Sequence, residues 1–316
     1  MKTVLITGAA GFIGHILAEE FVKDHKVICL VRPGSKNLER LDSIKTSIEI
    51  VSHNLTNTYA EIESIIKEVD IILHAGGNPS SEDSILQPFS VINDNVIGTA
   101  QVLELARRRS AHVVYYSAGE VFGPITPGTD SLENDPYNSV SPYAASKAAG
   151  EEICISYANT FSVPVSITHI TNTFGPRLQH NRFPIIAIRK ILNGEELTIH
   201  TGLDGSVGGR RWLPAIDVAL QTRFMINNHN APYEKWNSSG PEFITNLELA
   251  QMIAEILGKD LKFKFEKINR AGHDPFFSIT PSKFYDRGWT PSLNMRDRLK
   301  ETVEWYINNP HWLARG

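Results

Sequence analysis

The sequence is poor in the residues that staple small scaffolds. It has two cysteines in 316 residues, Cys29 and Cys154, far apart and at no metal-ligand spacing, which excludes a disulfide framework and a zinc ribbon. Cys29 lies in an apolar run expected to be a strand and Cys154 in an expected helix, so both read as reduced interior thiols. The histidines are scattered without an HExxH or paired-ligand pattern, and no metal site is expected. No apolar stretch approaches membrane-spanning length, so no membrane partner is expected. Positive charge is not in excess: 31 Lys and Arg against 35 Asp and Glu leave a net charge of −4. Nucleic acid, which demands a basic face, is therefore not an expected partner. The one basic run, Arg107-Arg108-Arg109, falls at the end of an expected helix, where cations complement the helix dipole. Repeats and low-complexity tracts are lacking as well.

What is present begins at the first apolar run. Thr3-Val4-Leu5-Ile6 reads as a buried strand, and Phe12, Ile13, Ile16, Leu17 and Phe21 open a helical period soon after. Between them lies Thr7-Gly8-Ala9-Ala10-Gly11-Phe12-Ile13-Gly14. In such a strand–turn–helix, the first glycine permits the tight turn, the second lets backbone approach a pyrophosphate and the third lets helix pack on strand. A dinucleotide is the expected ligand. Met1-Lys2 leads straight into this unit, so removing an N-terminal signal would destroy the site, and a cytoplasmic protein is expected.

Lys26–Val31, Ile48–Val51, Val69–His74, His112–Ser117 and Val163–Thr168 read as further strands, most of them separated by helical patterns. That alternation predicts an α/β protein with a doubly wound parallel sheet. Past Gly175 the alternation is lost among Pro176, Pro184, the Gly202–Gly209 loop and Pro214. A smaller C-terminal α/β domain is expected there, with an amphipathic helix from Asn246, capped by Thr245 and stopped by Gly258. The division is residues 1–175, rejoined by about 212–238, against 176–211 and 239–316. Trp289, Trp305 and Trp312 read as packing residues.

Ser141-Pro142-Tyr143-Ala144-Ala145-Ser146-Lys147 sets a tyrosine and a lysine four apart on one helix face. An ammonium and a cationic nicotinamide ring would both stabilise the phenolate, making Tyr143 a usable acid/base for a carbinol or ketone.

Taken together, TGAAGFIG, His74-Ala75-Gly76, Asn95–Thr99, Ser117–Gly123, SPYAASK, Asn172–Arg177, Arg210–Ala219 and Arg270–Asp274 resemble the extended short-chain dehydrogenase/reductases, within them the nucleotide-sugar epimerase/dehydratase group. The resemblance covers nearly the whole chain. It implies a Rossmann-type fold, an NAD(P) cofactor, a nucleotide-sugar substrate and hydride transfer at a sugar carbinol or ketone. By that resemblance the catalytic set is Tyr143, Lys147, Glu120 and Ser117. The cofactor would meet Gly8, Gly11, Phe12, Ile13, Gly14, Arg32, Ser35, Asn54, Leu55, His74, Ala75, Gly76, Asn95 and Ile170, together with Ser117, Tyr143 and Lys147. The substrate would meet Asn78, Ala118, Asn172, Arg177, Arg210 and Arg270, although a surface ion pair is an equal reading of Arg270. The helix through Val102, Leu105 and Ala106 and the one bearing Tyr143 hold the family's dimer-forming positions, so a homodimer is expected.

Three positions depart from the family pattern. Ala118 stands where a Ser or Thr usually bonds the reacting oxygen. Gly119 replaces the acid that precedes the Glu in 4,6-dehydratases of the dTDP-glucose type, whereas Glu120 matches the base that deprotonates the carbon beside the ketone; a buried structural carboxylate is its competing reading. Val31 and Arg32 replace the acid that NAD-preferring members carry after the second strand, which favours NADP over NAD. Asn54 stands where an Asp is common, and His169, in place of a frequent Arg, reads as a satisfied core histidine. A nucleotide-sugar dehydrogenase or 4-ketoreductase and a non-catalytic dinucleotide sensor are the alternative readings.

Overall fold

A computed structural model describes residues 1–126, 128–267 and 277–314. Six strands, β1 (Thr3–Thr7), β2 (Lys26–Val31), β3 (Glu49–Ser52), β4 (Ile71–His74), β5 (His112–Ala118) and β6 (Val165–Ile170), form a parallel sheet with a later strand, Tyr233–Ser238. The order across the sheet is Tyr233–Ser238, β6, β5, β4, β1, β2, β3. Every pairing in it is parallel. All the C-terminal strand ends therefore share one edge of the sheet, where doubly wound folds bind ligands. β6 starts and ends two residues later than the apolar run Val163–Thr168 suggested, because its register is set by pairing with both β5 and Tyr233–Ser238.

Alternation along the strands builds two cores. Val4, Ile6, Cys29, Leu73, Val114 and Tyr116 face the layer containing the helices Phe12–Phe21 and Ala215–Asn227. Leu5, Ile28, Leu30, Ile72, Val113 and Tyr115 face the layer of Gly98–Arg109 and Pro142–Phe161. Cys29 and Cys154 are free, one in each core. Val102, Leu105 and Ala106 are turned onto the sheet, so a partner chain would have to meet another face of their helix. The basic run beyond them is answered by acids: Arg107 and Arg108 bond Glu104, and Arg109 bonds Glu63.

In the C-terminal part, helix Asn246–Leu257 begins with a reciprocal cap. Glu248 N donates to Thr245 Oγ1 at 3.2 Å, and Thr245 N donates to Glu248 Oε2 at 2.8 Å. Gly258 ends it at φ +62°, in the left-handed region that favours glycine. Trp289 and Trp312 are buried in the first core, with Trp305 packed against it. No helix among the described residues is long and apolar enough to cross a membrane.

Candidate active site

A cleft of about 1180 Å³ runs along the C-terminal strand ends. Its first wall is backbone. Gly8 has φ +66°, and a Cβ there would lie 2.8 Å from Ala75 O; one on Gly14 would lie 2.1 Å from Gly8 O. The turn is closed by Gly11 N donating to Gly8 O at 2.8 Å. No side chain caps helix Phe12–Phe21, which leaves its N-terminal amides to an anion in the cleft. Gly8, Gly11, Phe12, Ile13, Gly14, Ala75, Gly76, Asn95 and Ile170 all line this wall. A dinucleotide fits the cradle: a side chain at Gly8 would clash with the Ala75–Gly76 backbone and one at Gly14 with the turn itself, and the helix terminus is electropositive.

Several family positions support the wall without forming it. His74 is buried, with Nδ1 2.7 Å from Thr7 Oγ1 and Nε2 3.0 Å from Thr99 Oγ1, while Gly76 N donates to the same Thr7 oxygen at 2.9 Å. It thus fixes the β1–β4 end rather than reaching the cleft. Burial, with Lys147 nearby, pulls its imidazole down to about 3, so it is neutral. The Leu55 side chain packs against Gly76 and Gly98. Asn54 is used locally, its Oδ1 accepting from Thr56 N at 3.2 Å. At the far end Arg32, Ser35 and Lys36 line the cleft, and Arg32 Nη2 lies 3.3 Å from Asp94 Oδ2.

The second wall is made of side chains. Ser141 caps helix Pro142–Phe161 by accepting from Ala144 N at 3.1 Å, and Pro142 fills the first helical position. This places Tyr143 in the first turn and Lys147 one turn on; both line the cleft with Ser117, Ala118 and Glu120. The phenol of Tyr143 is pushed up by burial and then by Glu120, with Arg182 opposing. Burial draws the Lys147 ammonium down to about 8, against the pull of Glu151 and Cys154, and its Nζ sits 4.4 Å from the Tyr115 ring centre. Asn95, in a widened helical turn, accepts from Asn78 N at 2.7 Å and donates to Ser146 Oγ at 2.9 Å, tying the first wall to the helix of Tyr143.

The Ser117 hydroxyl donates to buried Glu151. His169, with no exposed surface, contacts Asn237 Oδ1 at 2.8 Å and Glu151 Oε2 at 3.0 Å through its two nitrogens. Asn78 and Asn172 line the cleft. Arg177 is turned away from it, bonding Glu19 at 2.6 Å and lying over Trp305. The Arg210 guanidinium lies 4.4 Å from the Phe277 ring centre. Arg270 lies outside the described residues.

Among the cleft residues that escaped the reading of the sequence, two act directly on the catalytic wall. Arg182, just before helix Phe183–Leu192, acts electrostatically on Tyr143. Phe277 covers Gly119: a Cβ on that glycine would lie 3.1 Å from its ring, and Ile279 closes in at 3.4 Å. An arginine beside the Phe-Pro helix start was a signal for the first; nothing local marked the second.

Residues 4–237 match the model of the NAD dependent epimerase/dehydratase family. The dTDP-glucose 4,6-dehydratase of Mycobacterium tuberculosis is 27% identical over 320 residues, which span 98% of this chain and 94% of that one. The crystal structure of dTDP-glucose 4,6-dehydratase from Bacillus anthracis, in complex with NAD, is 27% identical, covers 99% of both chains and superposes with a TM-score of 0.88. UDP-glucose 4-epimerase of Thermus thermophilus, 23% identical with a TM-score of 0.87 over 96% of this chain and 99% of its own, shares the fold. The chain is a member of the NAD dependent epimerase/dehydratase family.

Proposed function

We propose that this NAD(P)-dependent nucleotide-sugar-modifying enzyme works as an epimerase, through a transient ketone and without eliminating water. The observation that carries the choice is Phe277 over Gly119. The family position for the elimination acid has no carboxylate and is crowded by Phe277: a Cβ would meet the ring at 3.1 Å, so the ring would have to give way to any side chain. Relatives include enzymes named as dehydratases and as epimerases, which supports the shared oxidation step for this chain.

A bound nicotinamide dinucleotide supplies the hydride acceptor and donor. Tyr143 takes the carbinol proton and returns it, and the Lys147 ammonium stabilises the phenolate and holds the nicotinamide ribose. Glu120, on the same wall, is the base that takes the proton from the carbon beside the ketone, and a proton delivered to the opposite face of that carbon inverts it. Asn78, Asn172, Arg182 and Arg210 are assigned to the nucleotide sugar. The substrate part is 176–211 with 239–316, and the dinucleotide part is 1–175 with about 212–238. NADP is favoured over NAD by Val31 in place of an acid and by Arg32, Ser35 and Lys36 along the cleft. Exposed Leu86 and Phe89, beside the helix of Tyr143, support a homodimer, which light scattering tests. A cytoplasmic location is supported by two free, buried cysteines.

The test is incubation with UDP-, dTDP-, GDP- and CDP-sugars, followed by mass spectrometry and NMR. Unchanged mass with inverted stereochemistry is expected. Loss of a water mass, or net accumulation of reduced cofactor, would overturn the reading.

A further inference from the structure

Glu151 is a carboxylate with no exposed surface, one helical turn beyond Lys147 and two beyond Tyr143 on the same helix face. Burying an ionised carboxylate is costly unless its oxygens are satisfied. Here they are. Oε1 accepts from Ser117 Oγ; Oε2 accepts from the Tyr137 hydroxyl at 2.5 Å and lies 3.0 Å from His169 Nε2. Burial opposes its ionisation, but His169, Ser117 and Tyr137 outweigh burial and hold the carboxyl below the ordinary glutamate range.

The chain of hydrogen bonds has two ends. One is Ser117, at the end of β5, in the cleft wall. The other is Lys235, on the sheet's edge strand, whose Nζ donates to the Tyr137 hydroxyl at 2.5 Å and whose side chain is 12% exposed. From these contacts we infer that Ser117, Glu151, Tyr137 and Lys235 form a proton relay between the cleft and solvent. A purely structural brace across β5, β6 and this helix needs no path to solvent. The unbroken run of hydrogen-bonding groups from Ser117 in the cleft wall to the partly exposed Lys235 ammonium is what proton transfer requires.

In the inward direction, Lys235 gives a proton to the Tyr137 oxygen as Tyr137 passes its own to Glu151. The proton arrives on Oε2, the carboxyl turns to carry it to the Ser117 side, and Glu151 protonates Ser117 Oγ as the serine's original proton turns to a basic oxygen in the cleft. The cleft gains one proton, Lys235 is left neutral, and water reprotonates it. The outward direction is the reverse, and only O–H and N–H bonds are exchanged. The relay rests on the proposed function: Tyr143 returns the carbinol proton it took, but the proton that Glu120 removes from the carbon beside the ketone is replaced on the opposite face, so each turnover draws one new proton into the cleft as one leaves from Glu120.

The test compares wild type with Tyr137→Phe, which removes one oxygen from the chain, and Lys235→Met, which removes its outer end. The expected result is a fall in kcat of about tenfold or more with KM unchanged, a larger solvent deuterium isotope effect, and recovery as imidazole buffer is added. A readout without substrate follows proton release to an indicator dye when oxidised dinucleotide binds and Tyr143 ionises. Both variants should release the same amount at least tenfold more slowly. Unchanged rates, isotope effects and buffer dependence would overturn the relay. If wild type converts no nucleotide sugar, the epimerase reading fails by itself, and the indicator trace still decides the relay.

Discussion

The two walls of the cleft are built in opposite ways. The dinucleotide wall is centred on the backbone of one short local turn, where a single Cβ on Gly14 would lie 2.1 Å from a carbonyl oxygen. The opposite wall is assembled from side chains of β5, the helix Pro142–Phe161 and residues as distant as Phe277. A wall of backbone tolerates no added atoms and takes a ligand shared across a family; a wall of side chains can change its chemistry one residue at a time. By the family resemblance, Gly119 and Ala118 read as such changes.

The sharpest break in that comparison is Tyr143→Phe. Turnover should fall by about 10²–10⁴ while dinucleotide affinity, measured by calorimetry, changes far less, because the hydroxyl serves the reaction while the glycine wall and Lys147 hold the cofactor. An equal loss of both would mean that the walls are not separable.

Next in size is an acid effect on the backbone wall. His15, 3.1 Å from Gly11 O, and His74 are both pulled to about 3 by burial, aided by Arg177 and Lys147 respectively. As pH falls below 6.5 the unfolded chain takes up these protons first, so stability present at neutral pH is lost on acidification. By pH 5 each histidine should remove about 2 kcal/mol, read from denaturant midpoints. A flat profile from pH 7 to 5 would contradict this.

Gly119→Asp should cost about 1–3 kcal/mol through overpacking against Phe277. Adding Phe277→Ala should restore the melting temperature and allow a product lighter by one water, sharpening the claim that this wall selects the reaction. No recovery in the double variant would remove Phe277 from that role. The smallest change expected is Arg32→Ala, which should weaken NADP binding about fivefold and leave NAD affinity unaltered.

Legibility in the sequence follows the same division. The glycine turn, the strand alternation, the Thr245 cap and the Tyr143–Lys147 spacing are local, so their geometry follows from neighbours along the chain. The direction of a side chain is not local. His74 sits in a cleft motif but points between two threonines, Arg177 ends another motif but pairs with Glu19, and Asn54 folds onto its own turn. Phe277 over Gly119, Arg182 near Tyr143 and the contacts of Glu151 arise from tertiary juxtaposition, which residue spacing does not encode.

The edge strand Tyr233–Ser238 also bears on how the protein is made. While the ribosome is still decoding residues ahead of Tyr233, the outer side of β6 has every inward-facing partner it will ever have and none of its outward ones. An emerging chain thus carries an open strand edge, able to pair with a neighbouring nascent copy, until late in its translation. Premature termination before Tyr233 should yield aggregates rather than a half-sized cofactor-binding protein, and slow codons just upstream of that strand would lengthen the hazard.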